Sequence, residues 1–204
     1  MPILAKQDRC TGCAACMNAC PQKAISMLPD SEGFLQPTIN QETCVECGLC
    51  EKTCPIVTSP ANTNLNAPVT YALWHYEDRT KSSSGGAFSA LARKVIAEGG
   101  VVYGAAWRPF PIVRHIEVST IDDLEKLRGS KYLQSEIGNC YQLVKKQLVA
   151  GRRVLFSGTP CQVAGLKTFL RKEYSNLLLV DIYNRAKKLH IEPEARRIVF
   201  TTKR

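Results

Sequence analysis

The spacing of apolar and polar positions changes character along the chain. In the first 57 residues apolar side chains come in short groups. Ala24-Ile-Ser-Met-Leu28 and Phe34-Leu-Gln-Pro-Thr-Ile39 flank the turn-rich Pro29-Asp-Ser-Glu-Gly33, which predicts a short hairpin. Thr58 to Pro68 is poor in apolar bulk and rich in turn formers, and reads as a linker. From Val69 strand and helix patterns alternate. Thr70–His75, Val101–Trp107 and Ile112–Val118 read as strands, as do Arg153–Ser157 and Asn176–Asp181. Phe88, Leu91, Ala92 and Val95 form a helical stripe closed by Gly99-Gly100. A second stripe, Ile137, Tyr141, Val144 and Leu148, is closed by Gly151, and Gln162–Leu170 is a third helix. The expected architecture is an α+β module over 1–57, a linker over 58–68, a partial α/β domain with a mixed, partly parallel sheet over 69–182, and a divergent basic tail over 183–204.

Cysteine gives the first module its chemistry. Cys10-x2-Cys13-x2-Cys16-x3-Cys20-Pro21 recurs as Cys44-x2-Cys47-x2-Cys50-x3-Cys54-Pro55, an internal repeat that takes eight of the ten cysteines. The spacing is the bacterial one for a pair of [4Fe-4S] clusters, in which the fourth cysteine of each run ligates the other cluster. The expected sets are Cys10, Cys13, Cys16 and Cys54 for one cluster and Cys44, Cys47, Cys50 and Cys20 for the other. A zinc ribbon uses paired C-x2-C knuckles and has no use for the third cysteine and the C-x3-C-P step. A disulfide framework requires an oxidising compartment, and the first residues carry no signal-peptide pattern. With so little apolar mass, the clusters stand in for a core.

Charge is unevenly placed. The net +9 comes from the second part, because residues 1–60 carry four Lys/Arg against six Asp/Glu. A basic surplus suits anionic cofactors, an acidic partner or nucleic acid, or is a plain solvated surface. No nucleic-acid-binding motif accompanies it, so nucleic acid is not expected as a partner. No apolar stretch reaches the roughly 20 residues of a membrane span, and a cytoplasmic location is expected.

Three loops of the second part are candidates for binding. Ser82-Ser-Ser-Gly-Gly86 precedes a helix, where free N–H groups and the helix dipole favour an anion; it serves equally as an ordinary glycine-rich helix start. Ser157-Gly-Thr-Pro-Cys-Gln162 follows a strand, with Thr159 as N-cap and Pro160 as first helical residue. Gly129 to Ser135 is the third, with Lys131 placed for a phosphate or flavin. Cys140 lies on an apolar helix face and reads as core, whereas Cys161 is either inert or activated near its helix N-terminus. His75, His115 and His190 show no ligand spacing.

Ser83-Ser-Gly-Gly-Ala-Phe88, Gly100–Ala105, Gly129-Ser-Lys-Tyr132 and Phe156-Ser-Gly-Thr-Pro-Cys-Gln-Val-Ala-Gly-Leu166, in this order behind a two-cluster module, resemble the coenzyme F420 hydrogenase/dehydrogenase beta-subunit family. The resemblance runs from residue 1 to about 182 and implies a flavoprotein that relays electrons between clusters and a deazaflavin or another hydride carrier. It implies that Ser83, Ser84, Gly85, Gly86, Ser130, Lys131, Gly158, Thr159, Pro160, Cys161 and Gln162 border FAD. Relatives continue after Val180-Asp181-Ile182 with Cys-His-Gly and a long second half. Here the text turns to Tyr183-Asn-Arg-Ala-Lys-Lys188, and the expectation is a truncated or frameshifted subunit whose tail is mobile or loosely docked. The partner is expected to be a redox protein or a hydride-carrying small molecule. The alternative is a stand-alone ferredoxin-like electron carrier without activity of its own.

Overall fold

The computed structural model describes residues 2–58 and 71–183, and the backbone of 197–200. In the first module α1 (Ala15–Ala19) leads to the antiparallel hairpin β1 (Ile25–Pro29) and β2 (Leu35–Ile39), paired from Ile25↔Ile39 to Pro29↔Leu35. Asp30 sets the turn, its carboxylate accepting the N–H groups of Glu32 and Phe34 at 3.0 and 2.9 Å. The short helices α2 (Leu49–Thr53) and α3 (Pro55–Thr58) complete it. Its own buried apolar cluster is Cys16, Ile25 and Cys50, which is too small to act as an independent core.

Beyond the linker, which for the most part lies outside the described residues, α4 (Ala87–Ala97) precedes β3 (Val101–Trp107) and β4 (Val113–Val118). A 3-10 segment (Asp122–Leu127), α5 (Cys140–Val149), β5 (Val154–Gly158), α6 (Pro160–Leu170), β6 (Leu177–Tyr183) and β7 (Arg197–Phe200) follow. The sheet order is β4-β3-β5-β6-β7, with β3, β5 and β6 parallel and the two edges antiparallel. All five residues of β5 are buried, as expected of a central strand covered on both faces. Ala92 and Val95 of α4 and Leu124 and Leu127 pack on one face against Val102, Ala106, Leu155 and Val180. On the other, Tyr141, Val144 and Leu148 of α5 and Val163, Leu166 and Leu170 of α6 cover Val101, Tyr103, Val154 and Phe156. Cys13, Ala14 and Ala15 of the first module belong to this second cluster. The first cysteine loop is thus built into the wall of the α/β domain.

Two expectations change. Residues 71–75 are irregular rather than a strand: Tyr71 and Trp74 are exposed, and the His75 N–H donates to the Gly85 carbonyl at 2.7 Å. The edge beside β3 is taken by β4, so alternation in 70–75 has no buried face to serve. Nor does Asp181 end the sheet. The apolar run Ile198-Val-Phe, the one strong β-former of the tail, supplies most of β7, paired from Val180↔Phe200 to Tyr183↔Arg197.

Candidate iron-sulfur centres

The duplicated sequence produces a duplicated backbone. Ala14 (φ 58°) and Gly48 (φ 70°) start α1 and α2 from the left-handed region, and Cys20 and Cys54 close them at φ −74°, ψ 112° and φ −73°, ψ 115°. The Cys20 N–H donates to Met17 O and the Cys54 N–H to Glu51 O. Each fourth cysteine is therefore turned away from its own run, past a helix of one and a half turns.

The consequence is two small cavities, one for each crossed cysteine set. One is lined by Cys10, Cys13, Cys16 and Cys54, with Leu4, Met27 and Ile56. The other is lined by Cys44, Cys47, Cys50 and Cys20, with Val45 and Ile39. Among the described residues no three Cys, His, Asp or Glu side chains converge on a single ion. Thiolates bound to one zinc at about 2.3 Å would crowd within about 4 Å of one another, whereas these sets surround a volume, as a cubane requires.

Burial pushes the Cys13 thiol up to about 11 and Cys16 up to about 12, and it raises Cys10 and Cys50 as well. Like charge adds to this across the repeat: Cys54 acts on Cys10, Cys13 and Cys16, and Cys20 on Cys50. Four clustered thiolates are stable only around a cation, and iron displaces their protons. The Ala24 N–H, 3.3 Å from Cys20 Sγ, is a hydrogen bond of the kind that tunes a cluster's potential.

The α/β domain packs on the first cysteine loop. Tyr141, fully buried, points its hydroxyl at the carbonyls of Cys13 (2.9 Å) and Gln162 (2.8 Å). At Gly165 a Cβ would lie 3.1 Å from Cys13 Sγ and from Tyr141 Oη, so glycine lets α6 approach this closely without displacing either neighbour. Cys161, in the first turn of α6, acts electrostatically on Cys10 and Cys13. The Gly-Thr-Pro-Cys-Gln segment therefore lies on the side of α6 nearer the first cysteine run, although none of its residues lines the cavity. Cys140 is buried in the core, where burial raises its thiol.

The other loop residues fall into two groups, one around Gly86, Asp78 and Arg128 and one in which Gln162 bonds the Ser135 carbonyl. Gly86 starts α4 at φ 87° beside Asp78, and a side chain on Gly85 would collide with the Leu73 carbonyl, so both glycines have local steric reasons. Asp78 is fully buried. Burial alone would raise its carboxyl, but Arg93 (2.9 Å) and Arg128 hold it below the usual carboxylate range. Arg128 Nε is buried and has no hydrogen-bond partner among the described residues. Lys131, next to Ser130, turns back to donate to Arg128 O (2.6 Å) and Lys126 O (3.3 Å), and burial lowers it to about 8. In α6 the Thr159 N–H is taken by Gln162 Oε1 (3.0 Å) and Pro160 has none, while Gln162 Nε2 donates to Ser135 O. Thr159 Oγ1 lies 3.1 Å from Cys161 Sγ. Ser83 and Ser84 precede these glycines, and Ser84 Oγ accepts the Gly85 N–H.

Sequence reasoning left out His115. Its place was legible: in Val-Arg-His-Ile-Glu-Val it shares a face with Val113, and both are buried. Nδ1 lies 2.7 Å from Ser135 Oγ and Nε2 3.0 Å from Ser157 O, with the ring stacked on Phe156. A carbonyl only accepts, so Nε2 carries the proton and Nδ1 accepts the serine hydroxyl. Burial lowers the imidazole to about 4. With a folded value below the unfolded one of about 6.5, stability is full above pH 6.5 and is lost as pH falls toward 4. We expect a loss of about 2 kcal/mol between pH 7 and 5, read from denaturant midpoints, and a flat profile over that window in His115→Gln. An equal slope in both proteins would rule the histidine out as its source. His190 lies outside the described residues.

Residues 9–57 match the 4Fe-4S dicluster domain family. An uncharacterised polyferredoxin-like protein of Methanocaldococcus jannaschii is 36% identical over 64 residues, which cover 28% of this chain and 38% of that protein. The ferredoxin-type protein NapF of Escherichia coli K12 is 36% identical over 44 residues, 22% of this chain and 27% of NapF. The chain thus spans well under half the length of these curated relatives. Its first part is a two-cluster 4Fe-4S ferredoxin domain with an iron-sulfur electron-transfer function. No helix among the described residues is long and apolar enough to cross a membrane.

Proposed function

We propose that the two clusters, held by the crossed cysteine sets over residues 1–57, exchange electrons with a flavin held by the α/β domain over 69–182. On this reading the chain is a subunit of an F420-type oxidoreductase. The observation that carries it is the docking of α6 on the first cysteine loop: Val163 and Leu166 share a buried cluster with Cys13 and Ala14, and Gly165 packs against Cys13. A cofactor at the Gly158–Gln162 loop would lie beside the first cluster. Fit for an anionic dinucleotide is supported by the unpartnered Arg128 Nε close to the start of α4. Ser83, Ser84, Gly85, Gly86, Ser130, Lys131 and Gly158 to Gln162 would border it. Bound flavin would exchange a hydride on one side and single electrons on the other. Either a redox protein or a hydride-carrying small molecule completes the circuit.

The test is titration of FAD into the anaerobic, cluster-loaded chain. Saturable quenching of flavin fluorescence, with the flavin reduced when the clusters are reduced, is the expected result. Absence of saturable binding would leave the second reading, a ferredoxin-like carrier whose α/β domain only docks partners. That reading is favoured by the engagement of Lys131 and Gln162 in bonds of their own.

A further inference from the structure

The repeat allows the two cluster loops to be compared position by position. In the first, Cys10-Thr11-Gly12-Cys13, Gly12 has φ 63°; in the second, Cys44-Val45-Glu46-Cys47, Glu46 has φ 52°. The backbone is the same, yet one copy uses the residue that tolerates it and the other a glutamate, whose Cβ is strained there. The first choice has a visible cause. A Cβ on Gly12 would come within 2.6 Å of Leu35 O and collide with Gln134, whose side chain accepts the Leu35 N–H at 2.8 Å. The α/β domain thus covers the first loop. Among the described residues that domain lines neither cavity, but only the first loop packs against it, through Cys13 and Ala14. Cys47 is the one exposed cysteine of the ten, Val45 beside it is 61% exposed, and Glu42 and Glu46 are exposed. Outliers of this kind collect at functional surfaces.

We propose that the Glu42–Cys47 surface docks an external redox protein that presents basic residues around its own one-electron cofactor. This rests on Cys20, Cys44, Cys47 and Cys50 as ligands of the second cluster. Four thiolates outweigh the iron–sulfide core, so the cluster is negative in both oxidation states, and Glu42 and Glu46 extend that field outward. Val45 supplies a small apolar contact at the centre of the patch. Electrons pass between partner and chain through the second cluster, while the loop of the first, through Cys13 and Ala14, packs against α5 and α6.

The experiment uses the full chain loaded anaerobically, with cytochrome c as a basic probe: the zinc-substituted form to measure docking and the iron form to measure electron transfer. Glu46→Lys should weaken binding of the zinc form and slow reduction of the iron form about tenfold at low ionic strength, and high salt should erase the difference from wild type. Asp122→Lys, the same charge change at an exposed site of the α/β domain, should change either by less than about twofold. Iron content and the reduced-cluster electron paramagnetic resonance (EPR) spectrum separate the two levels of inference. Unaltered clusters with unaltered binding in Glu46→Lys would overturn the docking surface alone, as would equal weakening in Asp122→Lys. A chain that never loads a second cluster would overturn the ligand set beneath it. If Glu46→Lys disturbs the cluster, Glu42→Lys, outside the cavity lining, carries the same expectation.

Discussion

Cys20→Ala should lose the cluster of the other cysteine run and keep that of its own. Cys20 lines the cavity formed by Cys44, Cys47 and Cys50, while Cys54 lines the one formed by Cys10, Cys13 and Cys16. Wild type should hold ~8 iron atoms per chain and the variant about half, as two cubanes reduced to one. Cys54→Ala should lose the complementary half. EPR of the reduced proteins distinguishes the survivors, because two neighbouring reduced clusters couple magnetically and a single one does not. The test becomes site-specific when Cys13→Ala and Cys47→Ala are added: Cys54→Ala should resemble the former and Cys20→Ala the latter. If Cys20→Ala instead resembled Cys13→Ala, the crossed assignment would be wrong. Stoichiometric zinc without acid-labile sulfide would remove the electron-transfer reading.

Removing the side chain of Tyr141 should be the most damaging single change in the α/β core. The ring lies between Phe156 (5.8 Å) and Phe169 (6.0 Å), and its hydroxyl ties Cys13 of the first module to Gln162 of α6. Tyr141→Ala deletes a fully buried aromatic, a change that costs about 3–5 kcal/mol. Tyr141→Phe keeps the ring and leaves two buried carbonyls without their shared donor, at about 1–3 kcal/mol. Because the lost bond spans the two parts, Tyr141→Phe should also release the first cluster faster than the second on mild chelation, followed by cluster absorbance. Equal release rates would show that the hydroxyl stabilises the α/β domain only. Equal stability of Tyr141→Phe and wild type would show that water replaces it.

Most of the secondary structure was legible because it depends on short-range pattern. The helix stripe at Phe88, Leu91 and Val95, the apolar run 101–107 and the hairpin around Pro29–Gly33 each fold as their local periodicity dictates. The cysteine spacing was equally sufficient for the chemistry, since thiolates at fixed intervals on a tight backbone reproduce one metal geometry wherever they occur. What sequence could not supply is anything that depends on which surface meets which. Residues 71–75 carry a strand pattern but find no free sheet edge, and the tail's Ile198-Val-Phe finds one. The roles of Gly165, Tyr141 and His115 arise from contacts 20 or more residues away in the chain. The two cysteine runs are alike in spacing and become unequal in burial only in the fold, where the α/β domain packs against Cys13 and leaves Cys47 at the surface. Local propensity and ligand spacing act through neighbours along the chain. Burial acts through neighbours in space, and it decides which of two identically spaced motifs faces inward.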